Sequence, residues 1–324
     1  MRTTVPGVRT LVLITFFLVL TTRSNSQSIT TGNGEVEIGL GIGPLFFLGD
    51  LGGNSGVGQS TWLKDVQFPL VNLSKGLYLN IYPAEWLGFR LAVNQGRLEG
   101  YDSTIKGKGG DEEFRRQRNL QFRSSLLEGY AALEISPTVF LEKYDGLLGK
   151  IRPYGLIGVG VFHFNPKGQY FAPNGSSSWV ALQPLRLEGQ GFAEYPDRKP
   201  YSLTQLEIPA GFGAKFYIKE NMFIGLEVLH RQTFTDYVDD VSTTNINNTL
   251  FAKYLTPDQA AMANQLYYRQ NFDPTNVTQT RVLLDNQRGD PTQNDAFFST
   301  ILRMGWRLNQ MSNELRQLRC PAFY

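Results

Sequence analysis

What most restricts this chain is an alternation of period two that returns in eight separate segments. In "WLGFRLAVNQGRLEG" (Trp86 to Gly100), Leu87, Phe89, Leu91 and Val93 take every second place, while Gly88, Arg90, Ala92, Asn94 and Gly96 fill the gaps. "EVEIGLGIG" sets Val36, Ile38, Leu40 and Ile42 against Glu37, Gly39, Gly41 and Gly43. The pattern recurs in "GLYLNIY", "LLEGYAALEI", "YGLIGVGVFHF", "QLEIPAGFGAKFYI", "MFIGLEVLHR" and "FFSTILRMGWRL". Successive side chains of a strand point to opposite faces, so each segment has one apolar face and one small, polar or charged face. Several run to ten or more residues. A strand in a soluble sheet usually has ~5–6, whereas ~9–11 tilted residues cross a bilayer.

The connections alternate as strictly as the residues. "YPAEW" (Tyr82 to Trp86) and "IKENM" (Ile218 to Met222) are tight turns, and 136–150 is a moderate link. Residues 46–75, 102–121, 165–202 and 236–294 are long and polar. Short turns on one side and long loops on the other define an eight-stranded antiparallel transmembrane β-barrel, with the turns periplasmic and the loops external. An even strand count returns both mature termini to the periplasmic side of an outer membrane.

The N-terminus agrees with export. Arg2 and Arg9 precede the apolar run "LVLITFFLVL", and "TTRSNSQ" supplies small polar residues, so residues 1–27 read as a signal peptide. The barrel then spans 28–308, and 309–324 form a periplasmic tail. Cys320 is the single cysteine, which excludes an internal disulfide framework and leaves a candidate contact or free thiol. Lys+Arg 31 against Asp+Glu 29 gives no basic excess for a nucleic-acid partner.

If the apolar face meets lipid, the other face lines the lumen. That lining includes Glu37, Glu128, Glu134, Glu207 and Glu227 with Arg90, Lys215, Arg231, Arg303 and Arg307, equal numbers of acids and bases. Eight strands enclose a space that side chains can fill, and buried charges must pair. The expected interior is therefore a paired charge network around glycines, with no open pore. Two aromatic belts are expected at the membrane interfaces: Tyr82, Trp86, Phe216, Tyr217, Phe223 and Trp306 beside the short turns, and Phe122, Phe164, Phe234 and Phe297 at the far ends.

No catalytic residue, cofactor or metal ligand is assigned. "GLGIGPLFFLGDLGGNSGVG" lacks the Gly-Lys-Ser/Thr of a phosphate loop. "FTDYVDD" (Phe234 to Asp240) lacks the spaced ligands of an EF-hand and reads as a solvated acidic loop. In "LTPDQAAMANQLYYRQ", Thr256, Pro257 and Gln259 spell a capping box, so a short helix is expected over the external mouth. "NQMSNELRQLRC" (Asn309 to Cys320) is a second candidate helix, on the periplasmic side.

"YPAEWLGFRLAVNQGRLEG", "RPYGLIGVGVFHFNP", "LEGQGFAEYPDRKPYS", "EVLHRQTFTDYVDDVS" and "RGDPTQNDAFFSTILRMGWRL" resemble segments of PorG-like outer-membrane barrels of Bacteroidetes. The resemblance covers nearly all of the mature chain. It departs at Ala296, where an aromatic is common, and in the enlarged loops at 165–202 and 236–294. It implies association with the type IX secretion and gliding machinery, contact with a periplasmic PorK/PorN-like ring, and no catalytic residues. The function expected is thus a non-enzymatic barrel in outer-membrane lipid that anchors or scaffolds a periplasmic assembly. The alternatives are a small-barrel enzyme modifying lipid or lipopolysaccharide through His163 or His230 with Asp236 nearby, a receptor using its external loops, and a soluble lipocalin-like barrel.

Overall fold

The computed structural model describes residues 35–51, 72–84, 86–105, 112–140, 150–219, 221–269 and 287–308. The segments expected to form the signal peptide, the tail with its helix, and Cys320 lie outside the described residues.

The alternating segments are strands: β1 (Glu35–Leu48), β2 (Asn72–Ala84), β3 (Leu87–Tyr101), β4 (Gln121–Ile135), β5 (Ile151–Phe171), β6 (Ser177–Ala181), β7 (Thr204–Lys219), β8 (Met222–Thr233) and β9 (Ala296–Arg307). Eight of them close into an antiparallel barrel, with β1 pairing β2 and β9, β4 pairing β5, and β5 pairing β7. The barrel strands have 12 to 21 residues, each enough to cross a bilayer at a tilt. Closure leaves no edge within the wall, which matters because an unpaired backbone group has no partner in hydrocarbon.

The short ninth strand, β6, corrects the expected loop at 165–202. β5 continues past the wall to Phe171 and folds back through β6, pairing Lys167 with Ala181 and Phe171 with Ser177. Arg123 lies over the Trp179 ring on this hairpin, at 4.2 Å.

Register places all short connections at one end. Glu35 pairs with Tyr82, Glu37 with Arg307, Leu87 with Ile135, and Met222 with Trp306. The first and last strands therefore start and finish beside the tight turns, and the long connections emerge together at the other end.

The described parts of those long connections form a packed cap. The segment after β8 carries α1 (Phe251–Tyr254) and α2 (Pro257–Leu266). Helix α2 starts where the capping box put it: Thr256 accepts from the Gln259 amide, and Gln259 accepts from the Thr256 amide. Helix α1 and a seven-residue helix at Glu112–Arg118 carry no such signal. Leu185, Leu187, Phe192, Val238, Phe251 and Leu266 of the cap pack in one cluster with Leu45, Leu98, Phe122, Phe162, Phe164 and Phe297 of the barrel strands.

The lumen thus has two layers, where one had been expected. The half beside the short turns is ionic, and the half beside the long loops is an apolar plug. Phe122, Phe164 and Phe297 are buried in that plug, so they form no outer belt; Phe234 alone of that set is exposed. Tyr82 and Phe223 likewise point inward at the turn end, where Trp86 and Trp306 remain exposed. Phe298 lies in the outward phase of β9 but is buried, stacked on Phe46 at 4.6 Å.

Candidate functional site

The outer wall between the two ends carries exposed apolar side chains, nearly all aliphatic, on neighbouring strands. Ile38, Leu40, Leu77, Leu91, Val93, Leu127, Val159, Val161, Leu206, Phe212, Leu226 and Leu302 are all exposed, while the residue between each outward pair is turned inside. A contiguous apolar surface of this kind is not tolerated in water.

The inward face holds the ten predicted ionisable residues; nine are buried, and Arg307 is largely covered at the turn end. On β1, β3, β4 and β7 to β9, they form a chain of shared contacts. Lys215 donates to Glu37 at 2.8 Å and to Glu134 at 2.7 Å. Glu134 also accepts from Arg90, whose Nη1 reaches Glu227 Oε2 at 2.5 Å and whose Nε reaches Asn80 Oδ1 at 3.0 Å. Glu227 in turn accepts from Arg303 and, at 2.6 Å, from the Tyr154 hydroxyl. Arg307 closes the chain at the turn end, 3.3 Å from Glu37 and 3.2 Å from Glu35.

A separate pair stands nearer the loop end. Arg231 clasps Glu128 through Nη2 at 2.5 Å and Nε at 3.1 Å, the two-pronged geometry that guanidinium and carboxylate share. Asn94 donates to the same carboxylate at 2.5 Å, and the Arg231 guanidinium faces the Phe297 ring at 5.4 Å, where ionic and apolar layers meet. Glu207 differs from the rest: neither of its oxygens receives a donor among the described residues, and Glu128 is its neighbour.

Glycines make room for this packing. A Cβ on Gly39 would stand 2.3 Å from the Tyr78 hydroxyl, and one on Gly160 would stand 2.8 Å from Glu207 Oε1. The Tyr78 ring thereby lies under both Arg303 and Arg90, at 4.7 and 5.3 Å. Glu207 apart, the ions of this lumen are held by mutual pairing.

Sequence reasoning set Asn94 on the inward face without naming it a partner of Glu128, and it missed Tyr82 and Tyr154 as members, although each stands in the inward phase of its strand. It also missed two ion pairs of the cap. Arg118 grips Asp102 at 2.8 Å, and Arg288 grips Glu188 at 2.8 Å. Glu188 further accepts the backbone amides of Ser242 and Thr243, pinning the segment after β8.

"FTDYVDD" is not solvated. Asp239 and Asp240 are fully buried and Asp236 nearly so. Burial pushes Asp240 up to about 7, against the pull of Arg288 and the Tyr201 hydroxyl. It also pushes Asp50 up to about 6 and Asp236 up to about 9, with carboxylate repulsion adding to both. Among the described residues, no group of three His, Cys, Asp or Glu is arranged to hold a metal ion.

These raised values set a pH dependence. An unfolded aspartate releases its proton near pH 4, whereas the folded cap keeps it. The favourable contribution is complete below about pH 4 and is lost as pH rises through the folded values, about 6 to 9, because the native state then binds protons that the unfolded chain has released. Amides of residues 236–243 are therefore expected to exchange faster at pH 9 than at pH 5, after correction for intrinsic exchange. Equal or greater protection at pH 9 would contradict the assignment.

His163 Nδ1 meets the Thr204 hydroxyl at 3.0 Å, while His230 is paired in register with Ala210 and Phe298 and Asp236 lies in the acidic cluster.

An aliphatic exterior around ion pairs, in a closed eight-stranded cylinder, defines a membrane-spanning β-barrel. No family model and no curated protein matches the chain. Among solved structures it is similar to a major outer membrane protein from Thermus thermophilus, with TM-score 0.38 and 12% identity over 86% of this chain and 100% of that one. It is also similar to OprG from Pseudomonas aeruginosa (TM-score 0.35, 10% identity, 86% and 97%) and to Ail, the attachment invasion locus protein of Yersinia pestis (0.32, 10%, 85% and 97%). Likeness at this level adds no functional information.

Proposed function

We propose that this protein is a non-enzymatic outer-membrane barrel that anchors or scaffolds a periplasmic assembly, in the manner of the PorG-like family its sequence resembles. The observation that carries this reading is the ion-paired lumen: Arg90 alone touches Glu134, Glu227 and Asn80, bridging four strands across the interior. A plugged cylinder serves by what its ends contact. With the short turns and both barrel termini in the periplasm, the link at 136–150, the tail at 309–324 and Cys320 form the surface offered to a partner, of which a type IX secretion ring of the PorK/PorN-like kind is the proposed example. The packed cap then faces outward.

Photo-crosslinkers placed in cells at Ser136 and along 309–324 are expected to capture a periplasmic ring protein, and those in the cap to capture none. Crosslinks to such a protein from the cap, or from neither region, would overturn the anchor role.

A further inference from the structure

The cap contains a polar cavity of about 380 Å³ that the barrel does not use, bordered by the turn after β6, the chain leading into β7 and the start of α2. Gln183, Arg186, Gln190 and Gln259 supply its polar groups, and Tyr201 and Tyr254 supply aromatic surface. Its volume falls in the range of small-ligand sites, ~300–1,000 Å³.

Charge points to the ligand's chemistry. Arg186 is the one charged residue among those lining the cavity, and no carboxylate faces it there. Other guanidiniums of the cap are committed: Arg118 to Asp102, Arg288 to Glu188, and Arg198 to the carbonyls of Glu188 and Thr244. Arg186 has neither an ion pair nor a side-chain hydrogen bond among the described residues. Its backbone is left-handed, at φ 50° and ψ 52°. A long side chain rarely adopts that conformation, and it persists where surrounding structure imposes it, often at ligand clamps. Here the Gly189 amide donates to the Arg186 carbonyl at 2.8 Å.

The neutral groups are half engaged. Gln183 donates its amide to the Tyr201 carbonyl at 2.9 Å, which leaves its oxygen as an acceptor. Gln259 commits its oxygen to the Thr256 amide at 3.2 Å, which leaves its NH2 as a donor. Gln190 is buried, with its oxygen taken by the Glu188 amide at 3.2 Å and its Nε2 without an acceptor.

Both tyrosine hydroxyls are already bound, to Glu194 at 2.8 Å and to Asp240 at 2.6 Å. Their rings are fixed by stacking, Tyr254 on Phe192 at 4.2 Å and Tyr201 on Tyr237 at 4.8 Å. The cavity thus offers one planar two-pronged cation, amide donors and acceptors suited to hydroxyls, and rigid apolar faces. A single planar guanidinium pairs two-pronged with a carboxylate. Side-chain amides with no free strand edge match a polyhydroxylated ring better than a peptide.

We propose that this cavity binds an acidic saccharide of the uronic-acid class, its carboxylate on Arg186 and its hydroxyls on the glutamine amides. The test uses the full-length protein in lipid nanodiscs, titrated by calorimetry with methyl β-glucuronide, methyl β-glucoside, glucose 6-sulfate and acetyl-Ala-Ala. The glucuronide is expected to bind with Kd of about 1 mM or tighter, and the other three at least about tenfold more weakly. Arg186→Asn, a residue that accepts a left-handed backbone, is expected to lose about tenfold in glucuronide affinity with unchanged melting, and Gln183→Ala to lose several-fold. Equal binding of glucoside and glucuronide, equal or tighter binding of the sulfate or peptide, a wild-type affinity in folded Arg186→Asn, or no saturable glucuronide binding would each overturn the proposal.

Discussion

Glu227→Leu is expected to destabilise the barrel by about 3–5 kcal/mol, the cost of leaving a buried charge without its partner. Glu227 accepts from Arg90 and Arg303, and both guanidiniums are fully buried. Arg90 keeps Glu134 after the change, but among the described residues Arg303 keeps only the Tyr130 hydroxyl, at 3.3 Å, and the face of the Tyr78 ring. The loss is to be read from the denaturant midpoint in lipid vesicles. The double variant Glu227→Leu/Arg303→Met removes the stranded charge along with its partner and should recover most of the stability, because a packed apolar pair can replace a buried ion pair at little cost. A single variant that costs under about 1 kcal/mol would mean that the charges reach water, and the filled lumen would be wrong.

Leu91→Arg is expected to cost about 2–4 kcal/mol in a bilayer, since a cation on the lipid face near the midplane must be solvated by deforming the membrane. Leu91 lies level with Leu79 and Ala131 in the middle of β3, and is 57% exposed. Its neighbour Arg90 is a cation one residue away that the fold accommodates inside. Folding yield into vesicles should fall sharply for Leu91→Arg and stay at the wild-type level for Asp258→Asn in the cap. Equal yields for Leu91→Arg and wild type would place that face in water.

The wall was legible because a strand repeats every two residues and each strand states its own phase. Arg90 against Leu91 and Glu227 against Leu226 carry that information alone, and Tyr154 carried it too without being used. Aromatic residues misled for a different reason. Phe122, Phe164 and Phe297 sit at strand ends, where position favours an interfacial belt, yet their phase matches Leu126, Phe162 and Ser299, which point inward. Phase decides orientation; nearness to a strand end does not.

Most of the cap left no such trace. Glu188 and Arg288 are 100 residues apart, and no local pattern announces their pairing. Helix α2 is the exception, because a capping box is chemistry confined to four residues, Thr256 to Gln259. The buried aspartates of "FTDYVDD" read as solvated because burial in a loop is decided by distant segments, here Leu51, whose amide reaches Asp239 from 188 residues away.

The central claim is that the aliphatic face of the wall touches lipid and the charged face does not touch water. Spin labels attached singly at residues 89 to 94 of β3, in a Cys320→Ser background in bilayers, measure both through collision with oxygen and with a water-soluble nickel complex. Oxygen accessibility should peak at 89, 91 and 93, with 90, 92 and 94 shielded from both reagents. Nickel accessibility at 89, 91 and 93 above that at their neighbours would contradict the account.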